Sequence, residues 1–123
     1  MSDLPFNIKQ GLQSFNHGDY YAAHEYFEDA WRETTDNTRE FYRSLLHLSG
    51  GYYRLTQDRS GAALKFFQRS LQWMEQFPNP VCQIDTDLLR TLLGTLIAEI
   101  QSGKGSATLL KEHKFQINYP HQE

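Results

Sequence analysis

An internal repeat with an offset of 40 residues is the feature that most constrains how this chain can fold. Small, apolar and aromatic residues of the first copy recur at the same spacing in the second copy. The first copy contains Gly11, Leu12, Phe15, Ala22, Ala23 and Phe27, and the second contains Gly51, Tyr52, Leu55, Ala62, Ala63 and Phe67. In each copy a pair of small residues follows a turn and precedes an aromatic residue, which resembles the helix-turn-helix unit of tetratricopeptide arrays. Because two units are too few for an open solenoid, we expect a compact all-α bundle of two such hairpins and a closing helix.

Apolar residues recur three and four positions apart through most of the chain, which predicts about five amphipathic helices. The first helix is expected to begin near Pro5 and to end at Gly18, where glycine supplies a left-handed stop. Each helix start has a candidate capping side chain. These candidates are Ser2 or Asp3, Asp19, Asn37 with Glu40 as a capping box, Ser60 and Asp85.

The third helix is apolar on almost every side, which is typical of a central, buried helix. The pair Gly50-Gly51 in its middle would weaken an isolated helix, and we expect a neighbouring helix to approach closely there. The domain predicted from these patterns covers residues 1–103. Residues 104–123 form a polar C-terminal tail that we expect to be extended or partly loose.

Charge and composition argue against several functional classes. The 12 basic residues are scattered and the formal net charge is -3, so the pattern does not favour nucleic-acid binding. No apolar run reaches the ~20 residues that a membrane-spanning helix requires. The single cysteine, Cys82, excludes an internal disulfide and a cysteine-based zinc cage. We expect a cytoplasmic protein without a cofactor.

A polar cluster on the second helix is the strongest candidate site. His24, Glu28 and Trp31 are four and three residues apart, so they line one edge of the helix, and Glu25 lies beside them. Glu28 and Arg32 are well placed for an ion pair. Arg43 on the third helix could reach Glu25 or Glu28 if the two helices pack antiparallel, and the pair would then fix their register.

Four interpretations of this cluster remain open. The side chains could form a satisfied polar network at the rim of the core, with Trp31 as an apolar anchor. They could instead line a pocket of a non-enzymatic binding module for a protein or small molecule. A metal-dependent hydrolase or oxidoreductase would use His24 and Glu28 as ligands and Glu25 as a base, and it needs a third ligand from a neighbouring helix. Exposed aromatic residues could also form a homodimer. His47 and Arg54, on the same face as Arg43, are expected to be ordinary exposed residues.

The segment from Phe15 to Trp31 resembles the signature of a small bacterial and archaeal helical family, domain-of-unknown-function family 309. The resemblance rests on Gly-Asp-Tyr-Tyr followed by His-Glu-x-x-Glu-x-x-Trp, and it extends over roughly residues 10–100. It implies an all-helical bundle with no established activity, and it places the family's motif on the four polar-cluster residues of the second helix. Where the family tends to have Gln-Gly and a later histidine on the third helix, this chain has Arg43-Ser44 and Tyr52-Tyr53. This difference favours a lock between a carboxylate and an arginine over a metal site.

Overall fold

Six helices make up most of residues 4–120, the part of the chain that the computed structural model describes. They are α1 (Phe6–Asn16), α2 (Tyr20–Glu33), α3 (Thr38–Thr56), α4 (Ser60–Met74), α5 (Thr86–Gln101) and α6 (Ser106–Glu112). The β-type pairing found in this part of the chain is a single bridge between Val81 and Ile84. The all-α prediction is confirmed, with one helix more than the expected five. None of these helices combines the length and apolar character needed to cross a membrane.

Side-chain caps explain where some of the helices begin. Oδ1 of Asp19 accepts a hydrogen bond from the amide of Ala22 at 3.1 Å, and Oδ1 of Asp85 accepts one from the amide of Leu88 at 3.0 Å. Both predicted caps are therefore confirmed. Ser2 and Asp3, proposed for α1, lie outside the described residues.

Two predicted caps are wrong. Asn37 precedes α3 but its side chain makes no capping bond. Oδ1 of Asp36 instead accepts a hydrogen bond from the amide of Thr38 at 2.9 Å. Ser60 is the first residue of α4, after Arg59 at the N-cap position. Each error arises because a turn contains several polar residues, and the turn geometry decides which of them reaches the free amides.

The repeat predicted from the sequence is a repeat of helix packing. In the first hairpin, α1 approaches α2 at Gly11, where an added Cβ would lie 2.4 Å from Cε1 of Phe27. In the second, α3 approaches α4 at Gly51, where an added Cβ would lie 2.3 Å from Cε1 of Phe67. Both phenylalanine rings are fully buried. The expected close helix approach is thus confirmed, and it occurs in both copies.

Helix α3 is the centre of the bundle. It packs against α2, α4 and α6, and most of its residues are buried. Apart from Thr56, which is exposed, its remaining residues are half-buried, and they include Arg39, Arg43, His47 and Arg54.

The C-terminal segment is ordered against this core. Residues 106–112 form α6, and Leu109 and Ile117 are buried in the same hydrophobic cluster as the rest of the bundle. The hydroxyl of Tyr52 donates to the carbonyl of His113 at 2.9 Å. The side chain of Asn16 donates to the carbonyl of Ile117 at 2.8 Å and accepts from its amide at 2.7 Å. The prediction of an extended or loose tail is therefore wrong up to residue 120: it begins as a helix, and its extended part is held in place.

Candidate functional site

A line of four half-buried polar residues and one buried glycine runs along α3. Its members are three or four positions apart and therefore lie on one side of the helix. They are Arg39, Arg43, His47, Gly50 and Arg54, which we call the α3 stripe. Side chains of α2 and α4 contact the stripe along its length, and the combined surface is called the arginine face. The predicted cluster on α2 forms part of its border.

Arg43 contacts two tryptophan rings on the arginine face. Its guanidinium carbon lies 5.1 Å from the centre of the Trp31 ring on α2 and 4.4 Å from the centre of the Trp73 ring on α4. Both distances are typical of cation–π interactions. The guanidinium carbon of Arg39 lies 4.3 Å from the Trp31 ring, and Nε of Arg39 donates to the carbonyl of Trp31 at 3.0 Å.

The ion-pair partner of Arg43 is not the one predicted. Nη1 of Arg43 lies 3.2 Å from Oε2 of Glu40, one turn earlier on α3. Nη1 of Arg39 lies 3.7 Å from the other oxygen of the same carboxylate. The predicted lock between Arg43 and Glu25 or Glu28 is therefore wrong, because Trp31 and Trp73 hold the guanidinium beside α3. Two arginines share one carboxylate at this end of the stripe.

Arg54 forms a second arginine–aromatic group at the other end of the stripe. Its guanidinium carbon lies 5.5 Å from the ring centre of Tyr53 and 5.2 Å from that of Phe66. Nη1 of Arg54 donates to the side-chain oxygen of Gln57 at 3.3 Å. Within residues 4–120, Arg54 makes no ion pair with a carboxylate. The positive charge of Arg54 is therefore not neutralised directly by a carboxylate of these residues.

His24 lies beside this second group. Together with Tyr21, Gly50, Tyr53 and Arg54 it lines a cavity of about 70 Å³. An added Cβ on Gly50 would lie 3.3 Å from Cδ2 of His24, so the missing side chain of this glycine makes room for the ring. Burial lowers the pKa of His24 below its ordinary value, and the nearby Arg54 acts in the same direction. The neighbouring Glu28 and Glu25 carboxylates oppose this shift.

The two carboxylates of the predicted cluster have partners on their own helix. Oε1 of Glu28 lies 3.4 Å from Nη2 of Arg32, which is the ion pair that the sequence predicted. The Tyr21 hydroxyl donates to Glu25, and this contact raises the pKa of Tyr21. Within the described part of the chain, no hydrogen bond or ion pair joins His24 to Glu28. The residues of the cluster are thus neighbours on α2, but His24 and Glu28 are not joined in one hydrogen-bond network.

Two buried polar atoms on this surface have no hydrogen-bond partner among the described residues. They are Nε1 of Trp31 and Nδ1 of His47. The His47 ring lies 6.0 Å from the ring of Phe66. Burial lowers the pKa of His47 to about 4, and Arg43, Arg69 and His24 contribute in the same direction. His47 and Arg54 are half-buried, so the expectation that both are ordinary exposed residues is wrong.

The described residues do not supply a third metal ligand beside His24 and Glu28. One group of three potential ligands exists elsewhere, formed by Glu99, Glu112 and His113, whose ligand atoms lie within 4.8 Å of one another. Nζ of Lys104 lies 2.8 Å from Oε1 of Glu112 and 3.4 Å from Oε1 of Glu99. Nε2 of His113 lies 2.8 Å from that same oxygen of Glu99. This group therefore serves as an ion-pair cluster that joins α5 to the C-terminal segment.

Sequence reasoning missed two aromatic residues of the arginine face. These residues are Phe66 and Trp73, and neither is singled out by the sequence analysis. Both are half-buried at the edge of α4. The available signal was their seven-residue spacing, which places them on one line along the helix. The pattern of α4 alone cannot show that this line meets arginines of α3.

The model of the family described as "Domain of unknown function (DUF309)" matches residues 8–66. That range contains all of α2 and α3, and thus His24, Glu28, Trp31 and the whole α3 stripe. No curated protein matches the chain.

Proposed function

We propose from the site itself that this protein is a non-enzymatic binding module. The family whose model matches residues 8–66 is described as a domain of unknown function, and this description assigns none. The binding surface is the arginine face. His24, Glu25, Glu28, Trp31 and Arg43 contribute to it.

The observation that carries this proposal is the unused hydrogen-bonding capacity of the arginine face. His24 is not hydrogen-bonded to Glu28, and Arg54 has no carboxylate partner within residues 4–120. The buried Trp31 Nε1 and His47 Nδ1 have no partner among the described residues. A buried polar atom without a partner costs about 1–3 kcal/mol, and Oγ of Ser106 on α6 is a third such atom among the described residues. A bound ligand or partner that hydrogen-bonds to Trp31 or His47 would remove this cost on the arginine face.

The arrangement gives less support to metal-dependent catalysis. That alternative requires a third protein ligand near His24 and Glu28, and the one group of three candidate ligands within residues 4–120 lies at Glu99, Glu112 and His113. Glu25, the proposed base, is exposed and hydrogen-bonded to Tyr21.

We include a cytoplasmic location in the proposal. Its support is the single cysteine, Cys82, which is a free thiol and hydrogen-bonded with the hydroxyl of Tyr42. Free thiols are typical of reducing compartments. Fractionation of cells that produce the protein would test this part.

A fragment screen by two-dimensional NMR tests the binding function, with His24→Ala/Glu28→Ala as the counter-screen. Fragments that bind should perturb amide signals of the α3 stripe. The same fragments should bind the double variant more weakly. Fragments that perturb other surfaces, or that bind the double variant equally well, would contradict the proposal.

A further inference from the structure

We propose that the partner of the arginine face is an acidic peptide segment with two carboxylates about 16 Å apart, one bound by Arg43 and the other by Arg54. This inference rests on the proposed binding function and names the chemistry of the partner.

The spacing follows from the position of the two arginines on one helix. They are eleven residues apart on α3, and a rise of 1.5 Å per residue separates them by about 16 Å along the helix axis. A small molecule with one acidic group cannot reach both. An extended peptide advances about 3.3 Å per residue and its side chains alternate between two faces. Two acidic side chains that face the same way and come close to this distance are therefore four or six residues apart, about 13 or 20 Å.

Each arginine is held by aromatic rings in a way that suits anion binding. Arg43 contacts Trp31 and Trp73, and Arg54 contacts Tyr53 and Phe66. Contacts with the rings restrict the guanidinium while leaving N–H groups to donate, and this reduces the entropy lost when a carboxylate binds. A guanidinium has five N–H donors in a planar fork that matches a carboxylate. The side chain of Arg43 is 32% exposed, so a partner can reach it.

The charge balance of the face favours an anion. Arg39 and Arg43 share the single carboxylate of Glu40. Arg54 and Arg69 make no ion pair with a carboxylate within residues 4–120. On the neighbouring α2, Glu28 is paired with Arg32 and Glu25 accepts a hydrogen bond from Tyr21. The stripe surface therefore has more cationic than anionic groups along its length, although the whole chain has a formal net charge of -3.

The middle of the face requires an uncharged residue of the peptide. Between the two arginine groups lie His47, Gly50 and the ring of Phe66, with His24 against Gly50. This stretch offers aromatic and neutral surface at neutral pH. The structure thus predicts a peptide in which an apolar residue stands between the two acidic ones.

The test uses a series of unlabelled peptides at low salt and neutral pH. Each peptide has one leucine and two glutamates in a background of serine and alanine, and the separation of the glutamates runs from two to eight residues. Binding is followed by tryptophan fluorescence, because both tryptophans of the chain, Trp31 and Trp73, contact Arg43. A glutamine version of every peptide is the chemical control.

We expect the tightest binding with a peptide of even separation, four or six residues, because only even separations place both glutamates on one side of an extended chain. Arg43→Gln and Arg54→Gln should each weaken that peptide about five- to tenfold, as expected for loss of one charge-assisted hydrogen-bonded pair. Lys111→Gln removes the same charge from an exposed position on α6 and should leave the affinity unchanged. Arg43→Lys keeps the charge but not the planar fork, and an intermediate affinity is expected.

Three results would overturn the inference. Binding that does not depend on glutamate separation, or that is insensitive to Arg54→Gln, would contradict binding of the peptide at two points. The arginine face would still be a binding surface in that case. Binding of a ten-residue oligothymidine in preference to all peptides would identify a nucleic acid as the partner class. Absence of binding by every peptide would reject the acidic partner, whereas the binding function itself fails only if fragments also avoid the arginine face.

Discussion

Gly51 lies against the ring of Phe67, so close that a Cβ atom added to Gly51 would be 2.3 Å from Cε1 of that ring. Phe67 is fully buried and cannot move aside without disturbing the core. We therefore expect Gly51→Ala to lower the free energy of unfolding by about 1–3 kcal/mol, the usual cost of overpacking a core. Urea denaturation followed by circular dichroism measures this loss.

Gly94 provides a matched control for Gly51. It lies within α5, and an added Cβ there would meet no atom within 4 Å. Gly94→Ala should raise the free energy of unfolding by about 0.5–1 kcal/mol, because alanine loses less conformational freedom in a helix. If Gly51→Ala were as stable as wild type, close packing at the repeat would not be needed.

The repeat shows what the sequence could predict and why. The positions of Gly11 and Gly51 follow from local pattern, and so do the caps Asp19 and Asp85, because each depends on a few neighbouring residues. Contacts between helices depend on how one helix is rotated and shifted against another. A single helix pattern does not contain that information, and the partner of Arg43 was therefore predicted wrongly.

The missed helix α6 has a related cause. It has seven residues, which is too short for a periodic pattern to stand out. Its single fully buried apolar residue is Leu109. This residue does not indicate a helix until the tertiary surface that covers it is known. The location of the candidate site on α2 could be proposed from the sequence, whereas the aromatic residues of α4 beside it could not.

His47 should make the stability of the protein depend on pH. Its pKa falls from an ordinary value of 6.5 to about 4 in the folded chain. Between these values the unfolded chain binds a proton that the folded chain does not, so stability is complete above about pH 6.5 and falls as pH drops toward 4. A fully buried ring would lose about 3 kcal/mol, and solvent screening at this half-buried position reduces the loss to about 1–2 kcal/mol.

Comparison with His47→Gln isolates the contribution of His47. Urea unfolding of both proteins between pH 4 and pH 7 measures the two pH dependences. Glu99 also has a lowered pKa in the folded chain, but it is present in both proteins, so its effect cancels in the difference. His24 interacts with His47, so the difference measures His47 together with this interaction. The variant should show a weaker loss at low pH. Parallel curves would mean that His47 titrates normally.

Asn16 should control the ordering of the C-terminal segment. Its side chain makes two hydrogen bonds to the main chain of Ile117, at 2.8 and 2.7 Å. Asn16→Ala removes both, and each is worth about 0.5–1.5 kcal/mol, so the Ile117 amide should exchange with solvent at least about fivefold faster. Hydrogen exchange by NMR gives the rate. Asn118→Ala, at an exposed position, should leave it unchanged, and equal rates in all three proteins would show that the segment is held by apolar contacts alone.

Trp31 should contribute to stability less than a core tryptophan does. Its ring is half-buried, packed against the core and covered by Arg39 and Arg43. Removing a fully buried ring costs about 3–5 kcal/mol, and we expect about 2 kcal/mol for Trp31→Ala. Phe6→Ala, at a ring that is 70% exposed, is the control and should change stability by less than about 0.5 kcal/mol. A loss equal to that of a core ring would show that Trp31 is primarily structural.

The most direct test of the central claim is the free energy of unfolding of the His24→Ala/Glu28→Ala variant, measured in urea beside wild type. If these side chains serve binding, the double variant should remain within about 1 kcal/mol of wild type, because neither holds the other and the Glu28–Arg32 pair is a surface ion pair of small energy. A loss of more than about 3 kcal/mol would be typical of a broken buried polar network. That result would contradict the binding function and make the cluster a structural element of the fold.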